Sequence, residues 1–290
     1  MPVGPPIAVY RADQTDPPLG YLNPLKMVAN LIGRRHLIWQ FSVREVQGRY
    51  KGSHLGVIWA LLNPLMMLLV YTFVFHNLSH QQWNPHDPNE KFMVYAMHIF
   101  IRIIAFNLFS ESVNRASTLI TTNPNYVKKV VFPLEILPIS LIGAALFHSV
   151  LSIGVLILCA IAGAGPLHAT LLFLPLAYVP LILLTAGVSW LLAALGVFLR
   201  DIGNVIAVLV QLLFFLTPIL YSPSAIPGWA GMVMRFNPMA LIVDNFGRVT
   251  NEGLPPNWTE LFVITGVSAC VAVAGYAFFM KMKRAFADVI

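Results

Sequence analysis

The chain has 290 residues, of which 58% are hydrophobic and 10% are charged, and its mean hydropathy is +0.74. A soluble domain is about 45–50% apolar and about 25% charged, so the composition excludes an ordinary soluble protein and predicts an integral membrane protein. The formal net charge of +6 lies mostly beside apolar segments and not in one basic stripe, which argues against a nucleic-acid partner.

Proline and polar residues dominate the first 24 residues, without an apolar core segment. This composition does not fit a cleavable signal peptide and predicts a disordered segment from 1 to 24. An amphipathic helix is predicted from 25 to 54, because seven apolar residues recur on one helical stripe: Leu25, Val28, Ile32, Trp39, Val43, Val46 and Tyr50. We interpret it as an interfacial helix in the headgroup plane. The alternative is an amphipathic helix packed on protein.

The chain turns from this helix into its first membrane span near Gly52 and Gly56. Two glycines four residues apart can also form a close-packing surface between membrane helices. We favour the turn, since charged residues precede the glycines and a long apolar run follows them.

Six segments are long and apolar enough to cross the hydrocarbon layer, which takes about 20 residues in a helix. They run from Leu55 to Leu78, Phe92 to Ile120, Leu134 to Gly163, Leu171 to Leu199, Val205 to Tyr221 and Leu261 to Met280. Residues 55–290 are therefore predicted to form an all-α, six-span transmembrane domain. The stretch 222–257 is too polar to span and too apolar for a plain loop, so we expect short re-entrant or interfacial helices there.

The lysine and arginine residues predict the orientation in the membrane. Fourteen of the 18 lie before the first span, in the second-to-third and fourth-to-fifth connections, or in the C-terminal tail. Positively charged residues concentrate in cytoplasmic loops, so both termini are predicted to be cytoplasmic. An even number of spans agrees with this orientation.

Arg102 and Glu111 stand out as ionisable residues within the second predicted span, where a charge is costly and commonly functional. Glu111 and Arg115 are four residues apart and are predicted to pair on one helix face. Arg102 has no carboxylate one turn away. It either faces a water-filled path and holds an anionic group of a substrate, or reaches toward the external headgroups or a neighbouring subunit.

Aromatic residues are plentiful in the predicted spans. Their rings can stack on the apolar C–H faces of sugars in a passage, but aromatic residues in spans also pack or lie in the interfacial belt. We keep both interpretations, lining of a passage and packing, for six residues: Tyr71, Phe75, Phe106, Phe109, Phe214 and Phe215.

No phosphate-binding loop of the form GxxxxGK[ST] occurs in the sequence, and neither do HExxH, GxSxG or a dinucleotide fingerprint. We therefore expect that this chain is not an enzyme and does not itself hydrolyse ATP. His76, His80, His86 and His98 match no known spacing of metal ligands, so no metal site is predicted.

Four blocks of the sequence resemble one family of transporters. The first is a basic stretch R-x-x-x-x-R-Y-x-G-S-x-L-G before W-x-x-x-x-P, formed by Arg44, Arg49, Tyr50, Gly52, Ser53, Leu55, Gly56, Trp59 and Pro64. The others are NPNYVKKVVFPLEILPIS from Asn123 to Ser140, FLRDIGN from Phe198 to Asn204, and RFNPMALIVDNFGRV from Arg235 to Val249. Over residues 37–249 the chain is similar to ABC-type polysaccharide export permeases, the Wzm-like membrane subunits that export O-antigen, capsule or teichoic acid chains.

The resemblance implies a six-span half-transporter of type-2 ABC exporter architecture, which forms a homodimer with a passage between the two copies. It implies two copies of a cytoplasmic nucleotide-binding subunit as partners, and these hold the ATP and Mg²⁺. It also implies a coupling helix at about 121–133 that docks on the ATPase through Asn123, Pro124, Asn125, Lys128, Lys129, Phe132 and Pro133. For Lys128 and Lys129 the alternative is anchoring by the positive-inside rule.

Further positions are implied to act as gates. The cytoplasmic gate would consist of Arg44, Glu45, Arg49, Tyr50, Arg200 and Asp201. The external gate helices, at about 222–257, would contribute Trp229, Arg235 and Arg248. For Arg200 and Asp201 the alternative is a plain ion pair at a helix end. The run FIRIIAFNL, residues 100–108, departs from the family, which commonly has a glycine and a tryptophan there. Residue roles in the external passage are therefore not carried over from the family.

The sequence thus predicts the permease subunit of an ATP-driven exporter in the bacterial inner membrane, surrounded by membrane lipid, that moves an undecaprenyl-linked polysaccharide. The alternatives are an ABC permease for a smaller amphiphile, such as a drug or a lipid, and a secondary transporter. The secondary transporter is disfavoured because we find neither inverted repeats nor mid-membrane acidic residues of the kind such carriers use.

Overall fold

The structure is a computed structural model, and it describes residues 21–52, 55–56, 58–77, 92–128, 132–221, 228, 231 and 236–290. All of the regular secondary structure in these residues is helical, which confirms the predicted all-α class. The predicted disordered segment lies outside the described residues up to position 20.

The helices follow one another as α1 (Pro24–Gly33), α2 (Arg35–Tyr50), α3 (Ile58–Asn77), α4 (Phe92–Ala116), α5 (Pro124–Val127), α6 (Ile136–Cys159), α7 (Leu174–Phe198), α8 (Ile202–Leu216), α9 (Pro238–Thr250), α10 (Trp258–Met282) and α11 (Phe286–Val289). A short π-helical turn, Ala160–Ala164, extends α6. Short 3-10 turns, Ala169–Phe173 and Lys283–Ala285, precede α7 and α11.

Within the described residues, four stretches of helix are long and apolar enough to cross a membrane: Met93–Ala116, Ile136–Gly163, Ala169–Phe198 and Trp258–Val289. They correspond to the second, third, fourth and sixth predicted spans. The first and fifth predicted spans coincide with α3 and α8, whose apolar stretches are shorter. A helical membrane protein is therefore confirmed, and the count of six spans stays a prediction.

Helix α8 ends before the predicted fifth span does, because of the sequence that follows it. Thr217 precedes Pro218, and the proline ring disfavours the helical conformation in the residue before it. Thr217 accordingly has an extended backbone, with φ −102° and ψ 134°. The 15 residues of α8 rise about 22 Å, which is less than the thickness of the hydrocarbon layer.

The predicted amphipathic helix is divided into α1 and α2 by a break at Arg34, whose backbone has φ −108° and ψ 14°. Gly33 weakens the helix at this point, and the side chain of Arg34 pairs with Glu135, which directly precedes α6. Much of the predicted stripe is exposed on the protein: Leu25, Val28, Ile32 and Trp39. The described residues do not cover this stripe, and its location in the membrane interface stays a prediction.

The corner before α3 has the left-handed backbone that its glycines allow. Gly52 has φ +84° and Gly56 has φ +51°, a region that residues with a Cβ rarely adopt. A Cβ built on either glycine would meet no described atom within 4 Å. The two glycines therefore act as a turn, and the close-packing alternative does not fit them.

Helices α4 and α7 are the most buried of the long helices and form the centre of the bundle. Helix α10 packs on α7 through two glycines, Gly187 and Gly275. A Cβ on Gly275 would overlap the carbonyl oxygen of Gly187, so the two backbones touch with no side chain between them. Small residues permit this approach between membrane helices, and the close contact stabilises the pair by van der Waals packing.

Helix α9 closes one end of the bundle. The side chain of Asn237 caps its first turn by accepting from the amide of Met239 at 2.9 Å, and Pro238 occupies the first helical position. The Asn237 side chain also donates to the hydroxyl of Thr217 at 3.0 Å, which ties α9 to the end of α8. Most of α9 is buried, and it lies within the segment where short helices were predicted.

The opposite end of the bundle, which we call the basic end, is where α1, α2, the α5 loop, the α7–α8 turn and α11 meet. Arg49 of α2 bonds to Glu111 near the end of α4, and Arg284 donates to Tyr21 at 3.3 Å. Phe198, the last residue of α7, lies against Phe286 of α11 with ring centroids 6.1 Å apart. The end closed by α9 is called the α9 end.

Candidate functional site

The loop predicted to be a coupling helix contains only one turn of helix, α5, which is shorter than the predicted range of 121–133. The chain before it is a series of turns in which Thr121 and Thr122 donate back to the carbonyl of Thr118, both at 2.9 Å. The side chain of Asn123 donates to the carbonyl of Leu119 at 2.9 Å. These side-chain bonds compete with a helix, and they shorten α5 at its start.

The other predicted docking residues lie in α5 or follow it in the sequence. Asn125 and Lys128 are exposed, so both are available to a partner. Pro124, Phe132 and Pro133 are half-buried. Lys129 lies outside the described residues, and its role stays a prediction.

An aromatic cluster, Phe41, Tyr126 and Phe132, packs this loop on α2. The ring of Tyr126 lies 4.6 Å from that of Phe132 and 5.5 Å from that of Phe41, between centroids. Arg44 of α2 stands over the Phe41 ring at 4.3 Å, and its guanidinium donates to the hydroxyl of Tyr126. The loop and the helix are therefore in direct contact, and a force on the loop reaches α2.

Tyr126 is a residue that sequence reasoning missed. The signal was available, since Tyr126 is the only aromatic residue between Asn123 and Val131. An aromatic residue in an otherwise polar and β-branched loop is a good candidate for an anchor, because its ring buries a large apolar area.

An ionic cluster joins α2 to α4. Its members are Arg44, Glu45 and Arg49 of α2 and Glu111 and Arg115 of α4. Arg49 bonds to Glu111 at 2.9 Å, and Arg115 bonds to Glu45. The predicted pair of Glu111 and Arg115, four residues apart on α4, is present with a separation of 3.8 Å. Each helix contributes both positively and negatively charged side chains, and they form salt bridges with those of the other helix. The cluster therefore holds α2 against α4.

A cleft of about 360 Å³ lies beside the ionic cluster, between the end of α2 and helices α3, α4 and α6. Its polar lining comes mainly from Arg49, Tyr50, Asn63, Asn107, His148 and Ser152. The Tyr50 hydroxyl lies 3.2 Å from Nδ1 of His148. Burial raises the pKa of Tyr50, so this hydroxyl is neutral and can both donate and accept a hydrogen bond.

A second cluster at the basic end is centred on Glu135, which precedes α6 and has only 1% of its side chain exposed. Lys283 donates to its carboxylate at 2.7 Å, and Arg34 pairs with the same group. The amide of Asn30 lies 3.4 Å from this carboxylate and donates to Tyr276 at 2.7 Å. We call Asn30, Arg34, Glu135, Tyr276 and Lys283 the Glu135 cluster; it joins α1, α6 and the end of α10.

Glu135 was not among the predicted site residues. The sequence carried a signal for it, since Glu135 is the second residue of the predicted third span and an acidic residue at a span end needs a partner. The backbone carbonyl of Glu135 also accepts a hydrogen bond from the indole N–H of Trp190 at 2.9 Å. The residue is therefore held by both its main chain and its side chain.

Arg102 lies inside the α9 end and is completely buried. Its guanidinium donates to the carbonyl of His98 at 3.0 Å and to Glu252 at 3.2 Å, with Asp244 at 4.0 Å. It fills the space above Gly247, where a Cβ on the glycine would overlap the guanidinium. From the sequence, the predicted partner of the Arg102 guanidinium was a substrate, the lipid headgroups or another subunit. In the structure its acidic partners, Glu252 and Asp244, belong to the same chain.

The predicted aromatic residues have different surroundings. Phe106 and Phe109 are buried, and Phe106 packs on Phe214 with centroids 5.3 Å apart, as the packing alternative describes. Phe215 is 60% exposed on α8 and stays a candidate for the passage. Tyr71 and Phe75 belong to α3, but their side chains lie outside the described part.

The remaining predicted gate residues are spread over both ends. Arg200 and Asp201 are exposed at the α7–α8 turn of the basic end, and these two side chains do not form a salt bridge with each other. Arg248 of α9 is half-buried and donates to the carbonyl of Pro255 at 3.4 Å. Trp229 and Arg235 lie outside the described residues.

Removing the contact between Arg49 and Glu111 should reveal a modest coupling energy. In a cycle of Arg49→Met, Glu111→Gln and the double variant, we expect about 1 kcal/mol of coupling in the free energy of unfolding. The value is small because 40% and 20% of the two side chains are exposed. Thermal unfolding of the purified variants measures it, with Arg35→Met on the exposed start of α2 as the control. A coupling near zero would contradict the ionic cluster as a link between α2 and α4.

The profile of the ABC-2 type transporter family matches residues 36–247. The O-antigen export system permease protein RfbA of Myxococcus xanthus is 29% identical over 269 residues, which cover 92% of this chain and all of that protein. An RfbA from Klebsiella pneumoniae is 26% identical over 92% of this chain and 99% of its own length. The polysialic acid transport protein KpsM of Escherichia coli is 25% identical over 77% of this chain and 86% of its own length.

Proposed function

The chain belongs to the ABC-2 type transporter family, and we propose that it is the permease subunit of an ATP-driven exporter of lipid-linked polysaccharide in the bacterial inner membrane. The substrate class follows from relatives described as O-antigen export permeases and a polysialic acid transport protein. The glycan, carried on an undecaprenyl anchor, passes from the cytoplasm to the external face. A separate nucleotide-binding subunit holds the ATP and Mg²⁺ and hydrolyses the nucleotide.

The packing of the α5 loop on α2 carries the proposal. The loop offers exposed Asn125 and Lys128 to a partner, and the aromatic cluster behind them transmits a displacement to α2. From α2 the ionic cluster leads to α4, and the glycine corner at Gly52 and Gly56 leads to α3. A loop with no such contact would move without effect on the membrane helices.

Two copies of the chain form the transporter. Helix α8 supports this assignment, because it buries only Val210 in the described protein and leaves an apolar face exposed: Val205, Val208, Leu209, Leu212, Phe215 and Leu216. Helix α3 is similar, with only Ala60 and Leu68 buried among its described side chains. We assign these two faces to the walls of the passage between the copies, with lipid on the remainder.

The basic end faces the cytoplasm. It contains the majority of the lysine and arginine residues, and such residues concentrate on the cytoplasmic side of membrane proteins. This orientation puts the α5 loop within reach of a cytoplasmic ATPase and puts α9 at the external mouth. ATP binding then closes the ATPase pair, and the displacement reaches α2, α3 and α4 through the contacts above.

Replacing Tyr126 by alanine is expected to uncouple ATP hydrolysis from export. The complex with the ATPase subunit still forms, but glycan export falls at least about tenfold, which corresponds to a loss of about 1.4 kcal/mol of coupling. Tyr126→Phe keeps the rings in contact and loses the bond from Arg44, so it retains most of the export. Surface glycan in cells and the ATPase rate of the complex in nanodiscs give the two readouts. Undiminished export by Tyr126→Ala, or export without an ATPase subunit, would overturn the proposal.

A further inference from the structure

A second cavity, of about 280 Å³, lies at the basic end between α1 and the end of α10. Its walls are formed by one face of α1, by the Glu135 cluster and by the last turns of α10: Tyr21, Lys26, Asn30, Arg34, Tyr276 and Lys283, with Glu135 and Met280. None of the predicted site residues within the described part of the chain lines it. It is separate from the cleft beside the ionic cluster.

The charge around this cavity is unbalanced. Lys26, Arg34 and Lys283 are cations, and Glu135 is the single carboxylate among the lining residues that the structure describes. That carboxylate is already bonded to Arg34 and Lys283. Lys26 is exposed and is part of the lining of the same cavity. An anion in the cavity is therefore attracted by an excess of two positive charges, and Asn30 and the two tyrosines add hydrogen-bonding groups.

Helix α1 indicates what kind of anion the cavity takes. It buries Met27 in the protein and leaves three apolar residues between 46% and 78% exposed: Leu25, Val28 and Ile32. Residues three or four apart share a helix face, so Leu25, Val28 and Ile32 form one strip, and Lys26 and Asn30 line the neighbouring face. An exposed apolar strip therefore runs along the edge of the cationic cavity. In a membrane, acyl chains cover such a strip.

We propose that this cavity binds the phosphate headgroup of an anionic phospholipid, with its acyl chains along the exposed strip of α1. Basic pockets between membrane helices favour this class of ligand, because they pair the headgroup charge while the tails stay in the hydrocarbon. A bound headgroup joins α1 to the end of α10 through Lys26, Arg34 and Lys283. The inference depends on membrane insertion and not on which substrate is exported.

Lipid titrations of the full-length chain in detergent, followed by native mass spectrometry, test the site. The wild type should bind phosphatidylglycerol at least about fivefold more tightly than phosphatidylcholine. Lys26→Gln should weaken phosphatidylglycerol binding by roughly fivefold and leave phosphatidylcholine binding unchanged. The matched control is Lys281→Gln, which removes an exposed lysine of α10 at the same end but outside the cavity, and it should leave both affinities unchanged.

Three results would overturn the proposal. Equal losses in Lys26→Gln and Lys281→Gln would mean that anionic lipid binds to the whole basic end by general attraction. Displacement of phosphatidylglycerol by inorganic phosphate at equal concentration would assign the cavity to a free anion. Displacement by the ATPase subunit would assign it to an acidic protein surface. Transport measurements do not enter the test, so its failure leaves the proposed function untouched.

Discussion

Replacing Glu135 by glutamine is expected to lower the stability of the protein more than the loss of any exposed acidic residue. The side chain is 1% exposed, and its charge holds Arg34 and Lys283 together. Removing one partner of a buried ion pair costs about 3–5 kcal/mol, and we expect about 3 kcal/mol because the two cations keep roughly a third of their side chains in solvent. The apparent melting temperature should fall by roughly 6–12 °C, measured by heating the purified protein and quantifying the folded fraction by size exclusion.

A matched control for Glu135 is Glu260→Gln. Glu260 lies in the first turn of α10, where its charge is worth at most about 1 kcal/mol through the helix dipole. A double variant, Glu135→Gln with Lys283→Met, removes one of the two stranded cations and should recover part of the lost stability. If Glu135→Gln and Glu260→Gln melt at the same temperature, the Glu135 cluster does not hold α1, α6 and α10 together.

Replacing Arg102 by methionine should loosen α9. Methionine has a similar length but no charge, so Glu252 and Asp244 lose a fully buried counter-ion and the carbonyl of His98 loses a donor. Both acidic side chains are about 30% exposed and regain some hydration, and we expect a cost of about 2–3 kcal/mol. A loss of about 2 kcal/mol corresponds to a roughly 30-fold faster amide hydrogen exchange in α9. The exchange rates in α10 should change little.

Arg248→Met is the control for Arg102, since it removes an arginine from α9 itself that is half-buried and makes one long bond to Pro255. Its exchange rates should stay within a few-fold of the wild type. The variant Arg102→Met with Glu252→Gln removes a second charge and should bring the exchange of α9 partly back. Equal protection of α9 in Arg102→Met and in the wild type would show that apolar packing alone holds this helix.

Apolar segments allowed most of the fold to be predicted. A run of about 20 apolar residues identifies a membrane helix without knowledge of its neighbours. The bounds of α8 were less predictable, because Thr217 and Pro218 end the helix inside an apolar run and hydropathy does not detect that local effect. At the break between α1 and α2, Arg34 pairs with Glu135, which is 101 residues away in the sequence, so local patterns do not reveal this contact.

In the candidate site, contacts between residues close in the sequence could be predicted, but contacts between residues distant in the sequence could not. Glu111 and Arg115 were correctly paired because the partners lie one turn apart on the same helix. Arg102 could not be paired in this way, since Glu252 lies 150 residues further along the chain and only the folding of α9 onto α4 brings the two together. The aromatic cluster could not be predicted either, because Phe41 and Tyr126 come from separate segments that only the fold brings together.

The backbone contact between Gly187 and Gly275 has a consequence for measurements on the working transporter. Side chains that pack between helices can change rotamer and let the helices slide, but two touching backbones have no such freedom. We therefore expect α7 and α10 to move as one rigid unit, whereas α3 and α8 bury little of their surface in the described protein. A pair of spin labels on α7 and α10 provides an internal ruler of fixed length, against which displacements of α3 and α8 can be calibrated.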